Sequence, residues 1–177
     1  MKILIASDIH GSYYYGSKLI DIYKNGSFSK LLILGDILYH GPRNDLPKDY
    51  NPKKLINLLN SISNEIIAVK GNCEAEVDQM VLDFDVSSNS STVYFDDKLF
   101  YLTHGHHKFP SLNKNNILLT GHTHLPLYEK LENDVHHLNP GSVSLAKGGF
   151  QNSYMVYENN TFTIFDFNNN IILEKTI

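Results

Sequence analysis

Carboxylates, amides and imidazoles recur in this chain in short clusters, each lodged beside a glycine. Asp8 and His10 lie in "SDIHGS", Asp36 in "LGDILYHGPRN", Asn72 in "AVKGNCEAEVDQM", His104 and His106 in "LTHGHH", and His122 and His124 in "LLTGHTHLP". Oxygen and imidazole donors together hold divalent transition ions, and this mixture suits Mn, Fe or Zn better than Ca or Cu(I). With only one cysteine, Cys73, a structural zinc site built on several thiolates is excluded. Each donor taken singly has a plainer reading, because an Asp before a loop is commonly a cap or turn residue and a lone His an ordinary surface or core residue. Taken together, Asp8, His10, Asp36, Asn72, His104, His122 and His124 are too many for one ion that must keep a coordination position open. Two ions sharing one carboxylate is the economical arrangement.

Something must bring these clusters together, and the apolar pattern says what. Five short runs, "KILIAS", "LLILG", "IIAVKG", "LFYLT" and "NILLTG", have the unbroken Ile/Leu character of strands buried on both faces. Each is followed at once by one of the clusters, and ligand sites of open α/β sheets lie outside the carboxyl ends of the strands. Between the first two runs, Leu19, Ile20 and Tyr23 fall at helical spacing and Asn25-Gly26 supplies a stop. Between the second and third, Asn51 and Pro52 read as N-cap and first helical residue. The pattern is βαβαβ, a parallel sheet covered by helices, at least through residue 80. After about residue 86 the segments Thr92–Phe95, Lys98–Leu102, Pro126–Lys130, Ser153–Tyr157, Thr161–Phe165 and Ile171–Lys175 read as antiparallel hairpins and a second sheet.

Composition excludes several classes. A chain of 177 residues is expected to form one domain, 1–177, and hydrophobic and charged fractions of 42% and 19% argue against disorder. A net charge of −4 offers no basic stripe, so stable nucleic-acid binding is not expected. No apolar run approaches the length needed to span a bilayer. The opening "MKILIASDIH" has too short an apolar core, broken by Asp8, for a secretory signal, which makes a cytoplasmic address the expectation.

The ordered series "DIHG", "GD", "GNC", "HGH" and "GHTH" resembles the calcineurin-like metallophosphoesterase family. With "GHTHLP" and "NPGSVSLAKGG" it is similar to the bacterial YfcE-type phosphodiesterase subgroup, over roughly Met1 to Gly149. The resemblance implies an α/β (α+β) fold, a four-layer α/β/β/α sandwich of two mixed sheets flanked by helices. It puts Asp8, His10 and His124 on one metal and Asn72, His104 and His122 on the other, with Asp36 bridging. The cofactors it implies are two divalent transition-metal ions, Mn before Fe, Zn or Ni, and the partner is a small-molecule phosphate ester; a homo-oligomer, dimer or tetramer, is compatible. An alternating His122/His124 pair on one short loop can give one imidazole to each ion.

Such a site supports phosphate ester hydrolysis by a metal-bridging hydroxide, with no protein nucleophile. The catalytic set expected around it is Asp36, Asn72, Cys73, His106 and Arg43. Arg43 is a phosphate clamp or, in the plainer reading, a solvated loop charge. His106 is an accessory contact to metal or phosphate, whereas His107, His136 and His137 read as surface or strand residues. Cys73 departs from the wider family's pattern, which has a histidine at this position to protonate the leaving oxygen; this favours diesters with good leaving groups over alkyl monoesters. Alternatives are a phosphomonoesterase, or a non-catalytic protein-binding module on the same fold such as the retromer subunit. The filled ligand positions favour catalysis over the binding module. A metallo-β-lactamase type of site would require a His-x-His-x-Asp-His run, which "GHTHLP" lacks.

Overall fold

A computed structural model describes residues 1–177. The first sheet begins with β1 (Lys2–Ala6), β2 (Lys30–Ile33) and β3 (Ile66–Ala68), which are parallel neighbours in that order. Their continuous apolar character follows from burial on both faces. Leu4, Ala6, Leu31 and Ile33 pack under the helices, while Ile3, Ile5, Leu32 and Leu34 face the other sheet.

The crossovers are α1 (Tyr13–Asn25) and α2 (Pro52–Asn60). Helix α1 starts where the Ser12 hydroxyl accepts the Tyr15 N–H at 3.3 Å, stops at Gly26, and buries Leu19, Ile20 and Tyr23. Helix α2 starts with the Asn51 side chain accepting the Lys54 N–H at 3.2 Å and buries Leu55 and Leu59. Each such side chain contributes about 1.5–3 kcal/mol when fully buried. A short third helix, α3 (Glu76–Val81), follows β3.

The second sheet holds β4 (Ser90–Phe95), β5 (Lys98–Thr103), β6 (Ile117–Leu119), β7 (Pro126–Lys130) and β8 (His136–Pro140), in the spatial order β4-β5-β6-β8-β7. It is mixed, since β6 runs parallel to both β5 and β8. Phe100, Leu102, Ile117, Leu119 and Leu138 from its inner face meet the first sheet in the inter-sheet core.

The expected two mixed sheets flanked by helices are present. The α-helices all precede residue 82, and α1 and α2 cover the first sheet. Two details differ from the sequence reading. The C-terminal strands β9 (Ser153–Glu158), β10 (Thr161–Asp166) and β11 (Ile171–Thr176) extend the first sheet instead of the second, because β9 pairs antiparallel with β1, Lys2 opposite Glu158. Strand β8 goes beyond the sequence reading, which has His136 and His137 only as surface or strand residues; its sequence "HHLNP" contains a single aliphatic residue. No helix of the chain is long and apolar enough to cross a membrane.

Candidate metal centre

Parallel order within each sheet puts the carboxyl ends of β1, β2 and β3 on one rim and those of β5 and β6 on another, and the sandwich brings the two rims together. Asp8 and His10 follow β1, Asp36 follows β2, Asn72 follows β3, His104 follows β5, and His122 and His124 follow β6. Bonds cross directly between the sheets here: the His122 N–H donates to Asp8 Oδ2 at 3.0 Å, and His104 Nδ1 donates to the Leu34 carbonyl at 2.6 Å. Asp8, His10, Asp36, His122 and His124 all have φ between 49° and 68°. Left-handed backbone at non-glycine residues costs of order 1 kcal/mol or more each and persists where the surroundings over-determine it. Here it turns each chain sharply at the strand end and aims its side chain across the rim.

Two donor groups result. In the first, Asp8 Oδ1 lies 3.2 Å from His124 Nε2 and 3.6 Å from His10 Nε2, and the two imidazole nitrogens approach to 3.3 Å. In the second, His104 Nε2 lies 3.4 Å from Asp36 Oδ2 and 3.1 Å from Asn72 Oδ1. The His122 ring adjoins the second group, its centroid 5.1 Å from that of His104. A carbonyl can only accept, so the contacts of His10 Nδ1 with Tyr39 O (2.7 Å), His104 Nδ1 with Leu34 O and His124 Nδ1 with Leu145 O (2.6 Å) fix the proton on Nδ1. In its neutral form each ring presents an Nε2 lone pair to the cluster, the usual way a backbone carbonyl prepares a ligating histidine. Asp8 Oδ1 is fully buried without a hydrogen-bond partner. An orphaned carboxylate oxygen facing imidazole lone pairs is a costly arrangement without a cation. The residues therefore fit divalent metal.

Charge in the cluster is strongly coupled. Burial alone would raise the Asp8 carboxyl, but close imidazoles of His10 and His124 and the charge of His104 outweigh it and hold Asp8 far below the usual carboxylate range. Asp36 is likewise opposed by burial and still lowered, chiefly by His104. His104, against its burial, is raised to about 9 by Asp36 and Asp8. At the edge, burial and then the neighbouring His104, His107 and His122 depress His106 to about 4. The His106 ring packs tilted against His107, 3.9 Å between centroids, and lies 5.3 Å from the His104 ring, without joining either donor group.

Several residues around the cluster were given no role from the sequence. Glu74 is buried and its carboxylate accepts the N–H groups of Asp36 (2.9 Å), Ile37 (2.6 Å) and Gly71. It thereby clamps the loop carrying Asp36 to the loop carrying Asn72. That approach needs Gly71, since a Cβ there would collide with Asp36 Oδ1 and stand 2.5 Å from its backbone nitrogen. The "NPGSVS" segment supports the histidine loop. Asn139 Nδ2 donates to Gly121 O at 2.7 Å and Thr123 Oγ1 at 3.1 Å, and the Ser142 hydroxyl donates to Asp8 O at 2.8 Å. Asn139→Ala is accordingly expected to weaken metal binding about tenfold while leaving the fold intact. Titration calorimetry on the folded variant checks this, and an unchanged affinity would mean the loop is held from elsewhere.

Beside the donors opens a cleft of about 400 Å³ lined by Asp36, Asn72, Cys73, His122 and His124, with Arg43 and Lys147 among its other walls. Arg43 lines this cleft, and Lys147 joins it from the β8–β9 loop. A lysine in "SLAKGG" carries no local sign of this placement, because the loop is delivered by the pairing of β9 with β1. The cleft is polar and doubly cationic at its rim, suited to an anion held against the donors.

A two-sheet sandwich whose facing strand ends gather Asp, Asn and His donors defines a metallophosphoesterase. The model of the calcineurin-like phosphoesterase superfamily domain matches residues 1–161, and the chain belongs to that family. It is 41% identical to Phosphodiesterase YfcE of Escherichia coli strain K12 over 99% of this chain and 97% of that protein. The solved structure of that phosphoesterase from E. coli superposes with a TM-score of 0.96, covering 100% of both chains. Vps29 from Entamoeba histolytica complexed with zinc shares the fold, with a TM-score of 0.62 at 20% identity over 99% of this chain and 96% of that one.

Proposed function

We propose that the chain is a phosphodiesterase that hydrolyses the P–O ester of a small-molecule phosphate using two divalent transition ions. One observation carries the dinuclear reading: Asp36 Oδ2 stands 3.7 Å from His10 Nε2 and 3.4 Å from His104 Nε2, so a single carboxylate faces both donor groups. Asp8, His10 and His124 would hold one ion and Asn72, His104 and His122 the other, with Asp36 common to both. Ions so bound supply Lewis acidity, lowering the pKa of water and neutralising phosphoryl oxygens. Arg43 and Lys147 hold the substrate's anionic centre in the cleft, and Glu74 keeps the Asp36 loop in register with Asn72. The choice of a diester is supported by 41% identity to a protein named as a phosphodiesterase. Manganese is the preferred ion, ahead of Fe, Zn or Ni, on the mixed oxygen and nitrogen donors.

Residues 1–177 act as one domain in this reading, because both sheets supply donors. A cytoplasmic setting goes with it, supported by the free thiol of Cys73 beside the donors, which a reducing compartment preserves. A homo-oligomer is compatible with the geometry, and stable nucleic-acid binding is not expected at a net charge of −4.

Metal analysis after reconstitution with excess Mn, followed by assay on phosphomonoesters, phosphodiesters and cyclic nucleotides, tests the proposal. Two ions per chain and preferential diester turnover are expected. Saturation at one ion with all seven donors intact would overturn the dinuclear model.

A further inference from the structure

Cys73 also lines a second cavity of about 440 Å³, within the size range of small-molecule sites. Its walls are Tyr39 and Tyr50 from the β2–α2 segment, Ile56 of α2, and Val77 and Val81 of α3. Apart from Cys73, the one lining residue that is not apolar or aromatic is Asp78, whose carboxylate is turned back to accept the Ala75 N–H at 2.9 Å. Tyr39, Val77 and Val81 remain 42%, 56% and 38% exposed, so apolar wall surface stays open to solvent here.

Two observations tie this cavity to the metal centre. Cys73 lines both cavities, and its N–H donates to Asp36 Oδ1 at 2.8 Å. The Tyr39 carbonyl accepts the Nδ1–H of His10 at 2.7 Å, so the cavity wall and a candidate ligand share one backbone segment. A phosphoryl group in the cleft lined by Asp36, Arg43 and Lys147 would therefore have an apolar chamber beside Cys73 for one substituent and the polar cleft for the other.

Resting on the phosphodiesterase reading, we infer that the chamber is a specificity subsite: the substrate is a diester with one uncharged, apolar or aromatic arm, which binds against Tyr39, Tyr50, Ile56, Val77 and Val81. An anionic arm would find no cationic side chain there and would lose its hydration without an ion pair in return. Burying an apolar arm removes both its own surface and the exposed Tyr39, Val77 and Val81 surface from water. Binding energy drawn from this remote contact can serve to position the phosphorus over the donors.

The test uses phosphinates, which bear the anionic phosphoryl centre but no ester bond, so binding is read apart from turnover. Calorimetry of the Mn-loaded protein compares dimethylphosphinate with methyl(2-naphthylmethyl)phosphinate. The naphthyl probe should bind at least tenfold more tightly. Val77→Gln/Val81→Gln, neutral changes at exposed positions, should cut that preference below threefold without changing the affinity for dimethylphosphinate. Equal affinities of the two probes for the unmodified protein, or a preference that survives the double substitution, would overturn the inference. So would sedimentation showing that the substitution splits an oligomer, which would make a second copy of the chain the occupant. The phosphodiesterase reading fails separately, on absence of diester turnover by the metal-loaded protein, while the naphthyl preference still reports on the chamber.

Discussion

Asp36→Asn is expected to lower diester hydrolysis by at least about 100-fold, the upper end of what losing one partner of a metal site costs. Its carboxylate faces both donor groups, with Oδ2 within 3.7 Å of His10 and 3.4 Å of His104 and Oδ1 fixed by the Cys73 N–H. An amide of the same shape can keep the Oδ1 bond but removes the negative charge that two cations would share. The β2 end should be undisturbed, because Glu74 holds the backbone nitrogens of Asp36 and Ile37 independently of the Asp36 side chain. His106→Ala, by contrast, removes a ring that packs tilted against His107 and belongs to neither donor group, and is expected to cost less than about tenfold. Rates and bound metal are to be measured together on both variants. Near-normal turnover by Asp36→Asn with two ions still bound would show that another residue bridges.

The contrast between Asp36 and Glu74 shows how much of this site could be read from residues alone. All the donors were visible, because each follows an apolar run and a strand end is where a buried chain surfaces. The left-handed backbone of Asp8, His10, Asp36, His122 and His124 is in keeping with the glycines around them and with Asp and His, which tolerate positive φ better than bulkier residues. Glu74 sat inside a quoted motif, yet nothing local says that its carboxylate turns inward to three backbone amides. Asn139 and Lys147 were hidden for a different reason. Their positions depend on β8 pairing with β6 and β9 with β1, and partners far apart in sequence are chosen by sheet packing, which a local apolar pattern does not encode. The same argument explains why β9, β10 and β11 read as part of the second sheet: alternation identified the strands but not the edge on which they dock.

Cys73→His should shift the enzyme's tolerance of poor leaving groups. The thiol is half-buried behind Asn72, whose Nδ2 donates to Sγ at 3.3 Å, and lies with His10 and Asp36 in one donor cluster. Burial, and after it the charge of Asp36, push the thiol well above its ordinary range. A thiol is a weak acid toward a departing alkoxide, so the native enzyme is expected to favour leaving groups that depart unaided. An imidazole with a reference pKa of about 6.5 gives up a proton far more readily, and a positioned general acid is worth about 10²–10⁴-fold. Space limits the gain, because a Cβ on Gly41 would lie only 3.2 Å from Sγ and its backbone will crowd a larger ring. The expected result is therefore a rise of about 10- to 100-fold in kcat/KM for alkyl esters relative to nitrophenyl diesters. The ratio, not the absolute rate, is the measurement that matters, since misplacing Asn72 would slow both substrates alike. A ratio that stays constant would assign Cys73 to packing behind Asn72 and leave protonation of the leaving oxygen to another group.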